Sequence, residues 1–159
     1  MPVALHPDER RDFVLPDDQE AFDVATAAHA QAVSAAEDGA AQPDPPKPPT
    51  IFTLRPIAAA DMARVEDHLT TIDRDSSEVK AKIGSRDLEI LKLGLAGWKN
   101  FWFADGREAR FLTERLKHTK RVVNVVTDTC LSYLGSSARK DLVKAIEEGA
   151  KMSADDLGN

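Results

Sequence analysis

The chain has 159 residues, 42% hydrophobic and 30% charged, which suits one modest core and is too polar for a membrane protein. Its 21 Lys and Arg against 27 Asp and Glu give a formal charge of −6. That balance argues against a dedicated nucleic-acid binder, which needs a positive face to displace phosphate counterions. The single cysteine, Cys130, excludes an intrachain disulfide and a multi-cysteine zinc site.

No apolar run approaches the ~20 residues of a membrane span, and Met1–Glu9 has neither the basic start nor the apolar stretch of a signal peptide. The expectation is a chain made in a reducing compartment. Charge divides the sequence unevenly. Residues 1–50 hold ten acidic and three basic side chains, net −7, which leaves +1 for residues 51–159. The first third has only Phe13 and Phe22 as aromatics and is rich in Ala and Pro, so it cannot offset its own chain entropy by burial. It reads as an acidic, Ala-rich arm over 1–42.

Within the arm, Asp17-Asp18-Gln19-Glu20 suits the positive end of a helix that runs towards Asp38 and stops at Gly39. Phe22, Ala25, Ala32, Val33 and Ala36 form a narrow stripe, interrupted by His29. Such a face is either solvated or a docking face for a partner. Five prolines between Pro43 and Pro49 then make 43–50 an extended, semi-rigid spacer.

The body is expected over 51–159, with the whole core inside it. Phe52-Thr53-Leu54-Arg55 alternates and stops at Pro56, as an edge strand does. Met62, Val65, Leu69 and Ile72 have helical spacing, which predicts a helix over 58–72. A charged loop follows over 73–84. Ser85 caps a helix over 86–96, with Leu88, Leu91 and Leu95 on its buried face and Gly97 as its stop. Asp105-Gly106 predicts a hairpin with a two-residue type I′ turn, which sets Trp102 opposite Ala109 and Asn100 opposite Phe111. After a short basic segment, Val122–Val126 is either a strand or the lead into a helix. Thr127 or Asp128 caps a short helix over 128–134, and a last helix covers 137–150 before a polar tail.

Chemistry is sparse. His6, His29, His68 and His118 have no metal-ligand spacing. Cys130 has no neighbouring cation to lower its pKa and reads as a buried structural thiol. No phosphate-binding or nucleophile-elbow motif is present. One feature stands out: Arg107, Arg110, Arg115, Lys117, Lys120 and Arg121 put six cations within fifteen residues. With aromatics nearby, that segment (107–121) supports an alternative reading as a nucleic-acid-binding accessory surface. Overall acidity weighs against it, and an acidic protein surface matches the patch at least as well.

The body strings together Phe52-Thr53-Leu54-Arg55-Pro56, Gly97-Trp98-Lys99-Asn100-Phe101, Asp105-Gly106 with Phe111, Val126-Thr127-Asp128, Leu131, Leu134 and Leu142–Ile146. On these residues a resemblance stands: the body resembles small accessory proteins of tailed bacteriophages, some of which look like tail assembly chaperones. It covers about 51–159 and not the arm or spacer. It implies a non-enzymatic morphogenesis protein, either a tail assembly chaperone or a minor virion component. No cofactor, metal or catalytic residue is implied. Partners would be tail-tube, tape-measure or head and connector subunits, met in the host cytoplasm during assembly or in the virion, with no membrane involved. The expected fold is α+β, a small helical body with a β-hairpin preceded by an extended acidic, partly helical N-terminal arm. Leu91, Leu95, Trp98, Phe101, Trp102 and Phe111 are expected as core anchors. Phe13, Phe22, Arg107, Arg110, Arg115 and Lys117 are the expected partner contacts.

Overall fold

The alternation in Ile51-Phe52-Thr53-Leu54 places Phe52 and Leu54 on one side of a strand, and both are 1% exposed. That strand organises the molecule. In the computed structural model, residues 9–35, 41–67, 70–72, 79–81, 83–118 and 121–155 are described. The expected helix stop at Gly39 and most of the 73–84 loop lie outside them, as do His6, His68, Leu69, Lys120 and the end of the tail.

In chain order the elements are β1 (Arg11–Val14), α1 (Pro16–Ala35), β2 (Ile51–Leu54), α2 (Ala59–Asp67), β3 (Thr70–Ile72) and β4 (Val79–Ala81). They continue with α3 (Ile83–Gly94), β5 (Leu95–Lys99), β6 (Thr113–His118), β7 (Arg121–Val126), α4 (Asp128–Ser132) and α5 (Ser136–Asp155). The fold is α+β. A three-stranded antiparallel sheet has the order β1-β2-β5, and β3-β4 and β6-β7 form separate two-stranded ribbons. In the first sheet Phe13 pairs with Phe52, and Phe52 with Trp98; the β2–β5 register shifts between Thr53 and Leu54.

The core lies where this sheet meets α3, α4, α5 and the end of β7. Ile90, Leu91, Val125, Val126, Cys130 and Leu142 are fully enclosed. Helices α3 and α5 approach closely at Gly94, where a Cβ would fall 2.7 Å from Ile146. Arg86 on α3 reaches Glu147 on α5. Arg55 closes the end of α3: its backbone N–H and guanidinium donate to the carbonyls of Gly94 and Leu93, and Nη2 also reaches the Asn124 carbonyl at 2.9 Å. A cation on those unpaired carbonyls also complements the negative end of the helix. Burial, then nearby Arg10, lowers the Arg55 pKa from its ordinary value.

An aromatic cluster fixes the next segment. Trp98 makes edge-to-face contacts with Phe101 at 5.0 Å and Phe111 at 4.8 Å between ring centroids. Its indole N–H donates to the Ala109 carbonyl at 2.6 Å. Asn100 turns the chain here with a positive φ of 58°, which Asn tolerates better than most residues. Its amide donates to the Pro49 carbonyl at 3.3 Å and its own carbonyl accepts from Thr50.

Several expectations differ from this architecture. Residues 11–14, counted with the arm, form an edge strand of the sheet, and Phe13 packs against the core. Phe13, expected as a partner contact, is therefore part of the body's packing. Arg11 donates to the Ala145 carbonyl of α5, which ties β1 to the far side of the core.

Gly97 does not end a helix. Helix α3 stops at Gly94, and Gly97 lies in β5 opposite Thr53. The helix expected over 58–72 ends at Asp67, with Ile72 in β3. Thr113–His118, within the basic segment, is a strand, β6, held by pairing with β7.

The hairpin at Asp105-Gly106 has a three-residue loop. Gly106 N–H donates to the Phe103 carbonyl, Phe103 N–H donates to the Arg107 carbonyl, and only Gly106 has a positive φ, at 83°. That is the geometry of a type I turn followed by a left-handed residue. The extra residue sets Trp102 opposite Glu108 rather than Ala109. Ala109 turns inward, at 2% exposed, while Trp102 is 42% exposed and is not a core anchor. Leu91, Leu95 and Trp98 are buried as expected, and Phe101 and Phe111 pack on the core from its margin. Thr127 caps α4, accepting from the Cys130 N–H at 3.3 Å, and α5 runs through Gly149 to Asp155.

Candidate protein-binding interface

Helix α1 has acidic residues in its first turn, no basic residue in its last, and no buried residue along its 20 positions. Over such a length a helix gains its stability from packing one face, and α1 packs little. Asp18, Phe22, His29 and Val33 are half-buried and share one stripe. On that stripe His29 Nε2 lies 3.0 Å from the Pro43 carbonyl, which draws the Pro-rich segment back along the helix. Burial, then the adjacent Asp17 carboxylate, pushes the Asp18 carboxyl up from its ordinary value.

The neighbouring face is open. Asp17, Glu20, Ala21, Val24, Ala25 and Ala28 line a shallow depression there, and Val24 is 65% exposed. Of the two arm aromatics expected as partner contacts, Phe13 is in the sheet and Phe22 is on the half-buried stripe. Val24 was missed. Only its place among the alanines at positions 21, 25 and 28 could have singled it out.

The basic segment is divided by its local structure. Arg107 is engaged within its own turn: Nε and Nη2 lie 2.7 and 2.6 Å from Asp105 Oδ2, and its backbone N–H donates to Oδ1. Those bonds hold the Asp105 carboxyl below its ordinary pKa, with the side-chain bond the largest cause. Arg110 is exposed beside the hairpin, and its carbonyl accepts from the Cys130 thiol. Cys130 is buried, and its sulfur also accepts from the Leu112 N–H.

Arg115 and Lys117 alternate along β6 and so point to the same side of the ribbon. Opposite them in β7 stand Asn124 and Val122, and Val122 is 66% exposed. The ribbon thus presents two cations and a valine together. Its reverse side carries Leu116, 40% exposed, beside Glu114.

The rings that could stack on bases are placed elsewhere. Trp98, Phe101, Phe103 and Phe111 belong to the core cluster, and the exposed Trp102 holds Lys47 over its face at 5.5 Å. A cleft of about 200 Å³ between β2 and α5 is lined by Glu9, Arg11, Leu54, Arg55, Pro56, Ile146 and Gly149. Its two arginines are already bonded to backbone carbonyls. Among the described residues no group of three or more His, Cys, Asp or Glu could hold a metal ion, and no helix is long and apolar enough to cross a membrane.

Comparison with protein families, with curated proteins and with solved structures finds no match to this chain.

Proposed function

We propose that this chain is a non-enzymatic, protein-binding component of tailed-phage particle assembly, and that α1 is its binding element. The observation that carries the reading is a 20-residue helix with nothing buried, tethered at both ends to a packed body. At one end β1 is paired into the sheet. At the other the Pro-rich segment lies against α1 at His29–Pro43 and is tied to the body through Lys47–Trp102 and Asn100–Pro49. A helix held out in this way has lost part of its freedom before a partner arrives, which lowers the cost of binding. The phage context is supported by the resemblance of residues 51–159 to tail-assembly and minor virion proteins.

The test is deletion of the coding sequence from the phage genome, with complementation by the wild-type chain or by Val24→Glu. Loss of complete particles, restored by the wild type and not by Val24→Glu, is expected. Normal particle yield without the chain would overturn the reading. Mass spectrometry of purified particles then separates its two forms: a virion component is retained, and an assembly chaperone is present only in the lysate.

A further inference from the structure

We infer that the Arg115/Lys117/Val122 face of the β6–β7 ribbon is a docking site for α1 of a second copy of this chain. The inference rests on reading α1 as the binding element, and it names that element's partner.

Each surface carries what the other lacks. Helix α1 bears Asp17, Asp18, Glu20 and Asp23 and no Lys or Arg. Asp17 and Glu20 stand three residues apart on its open face, about 5–6 Å between Cβ atoms. On the ribbon, Arg115 and Lys117 stand two residues apart in a strand, about 7 Å. The two spacings allow both ion pairs at once. Val24 lies seven residues beyond Asp17, about 10 Å along the helix axis. Val122 lies directly across the ribbon from Lys117. The two valines are the most exposed large apolar side chains among the described residues, at 65% and 66%.

Within one chain neither valine is covered, and Asp17, Glu20, Arg115 and Lys117 are all exposed. A second copy supplies the missing surface. The two patches differ, so two copies can satisfy both contacts reciprocally about a two-fold axis. The rim charges would set the orientation and the rate of encounter, and the valines would supply the desolvated centre.

The experiment is light scattering coupled to size exclusion on the purified full chain at low ionic strength and at ~100 µM, which is above the micromolar dissociation constants of modest interfaces. The expected result is a mass above the 17.4 kDa of one chain. The association constant should fall about tenfold or more between 50 and 500 mM NaCl, as the exposed pairs are screened.

Two reversed variants, Asp17→Lys with Glu20→Lys and Arg115→Glu with Lys117→Glu, should each be monomeric alone and associate when mixed. All four positions are exposed, and circular dichroism checks that both variants fold. A wild-type chain that stays at 17.4 kDa, or reversed variants that fail to associate on mixing, would overturn the inference. A monomeric chain in which Val24→Glu still blocks particle assembly removes self-association and leaves the assembly reading standing. A self-associating chain that is dispensable for particles does the opposite.

Discussion

Among the described glycines, Gly94 is the one at which packing leaves least room for a side chain. A Cβ there would sit 2.7 Å from both Cδ1 and Cγ2 of Ile146, which is itself 2% exposed and has no solvent to move into. Gly→Ala within a helix ordinarily gains roughly 0.5–1 kcal/mol. Here overpacking, about 1–3 kcal/mol, is the larger effect. Gly94→Ala is therefore expected to lower the urea midpoint. Gly97→Ala, whose Cβ would come no nearer than 3.8 Å to Thr53, should leave it within about 0.5 kcal/mol of wild type. Equal effects at both positions would contradict the close approach of α3 to α5. Asp105 offers a pH readout. Its carboxyl is held low by the Arg107 side chain first and the Arg107 backbone N–H second. The turn's contribution is therefore full above the ordinary carboxylate range and fades as pH falls through the depressed value. Arg107→Ala should move the Asp105 titration upward in an NMR experiment, though not fully, because the backbone N–H still donates. An unchanged titration would remove the side-chain bond from the account.

Among the elements, β1 shows that residues N-terminal to the spacer belong to the folded unit. Phe13 and Leu15 pack on the core, and Arg11 reaches Ala145 across it. Phe13→Ala should cost about 1–2 kcal/mol, in proportion to its half-buried area, and Val24→Ser on α1 should change stability by less than about 0.5 kcal/mol. Both are read by urea denaturation, and equal losses would mean that α1 is packed in solution. A chain that starts at residue 51 should be less stable than the full chain, contrary to the expectation of a self-sufficient body. The reason β1 was illegible is physical: Arg-Asp-Phe-Val is four residues long and does not alternate, and its two apolar residues are lost in the acidic, Ala- and Pro-rich composition around them. The hairpin was legible in place but not in register. Asp-Gly fits a two-residue type I′ turn and equally a three-residue loop with Gly left-handed, and the difference turns Trp102 outward. Strand β5 follows α3 without a break, so Gly97 resembled a helix stop. Strand β6, Thr-Glu-Arg-Leu-Lys-His, is stabilised by its pairing with β7 and hardly by its own pattern. In contrast, the α4 cap and α5 were readable, because caps and 3.6-residue periodicity are local. At the candidate interface the cations were visible as a cluster. Val24 and Val122 were not, since exposure of a single valine is a tertiary property.

Across the whole molecule, burial is graded steeply, and that gradient makes the interface measurable. Ile90, Leu91 and Leu142 are completely enclosed, whereas α1 has no buried residue. Local opening of α1 therefore exposes little new apolar surface, and opening of α3 or α5 exposes the centre of the core. Hydrogen exchange should follow that order, with α1 amides exchanging first and those around Leu91 and Leu142 only with global unfolding. The charge division adds a second axis. The acidic excess is confined to residues 1–50, while Arg115 and Lys117 are exposed on the ribbon, so attraction between copies is strongest at low salt and falls as the Debye length shortens to about 8 Å at 0.15 M. Raising protein concentration at low salt should then slow exchange in α1 and in β6–β7 together, and leave α3 and α5 unchanged. The same titration with Arg115→Glu and Lys117→Glu should leave α1 at its dilute rate. Protection that appeared in α1 alone would point to helix-on-helix pairing of two acidic arms, an arrangement that their like charges oppose.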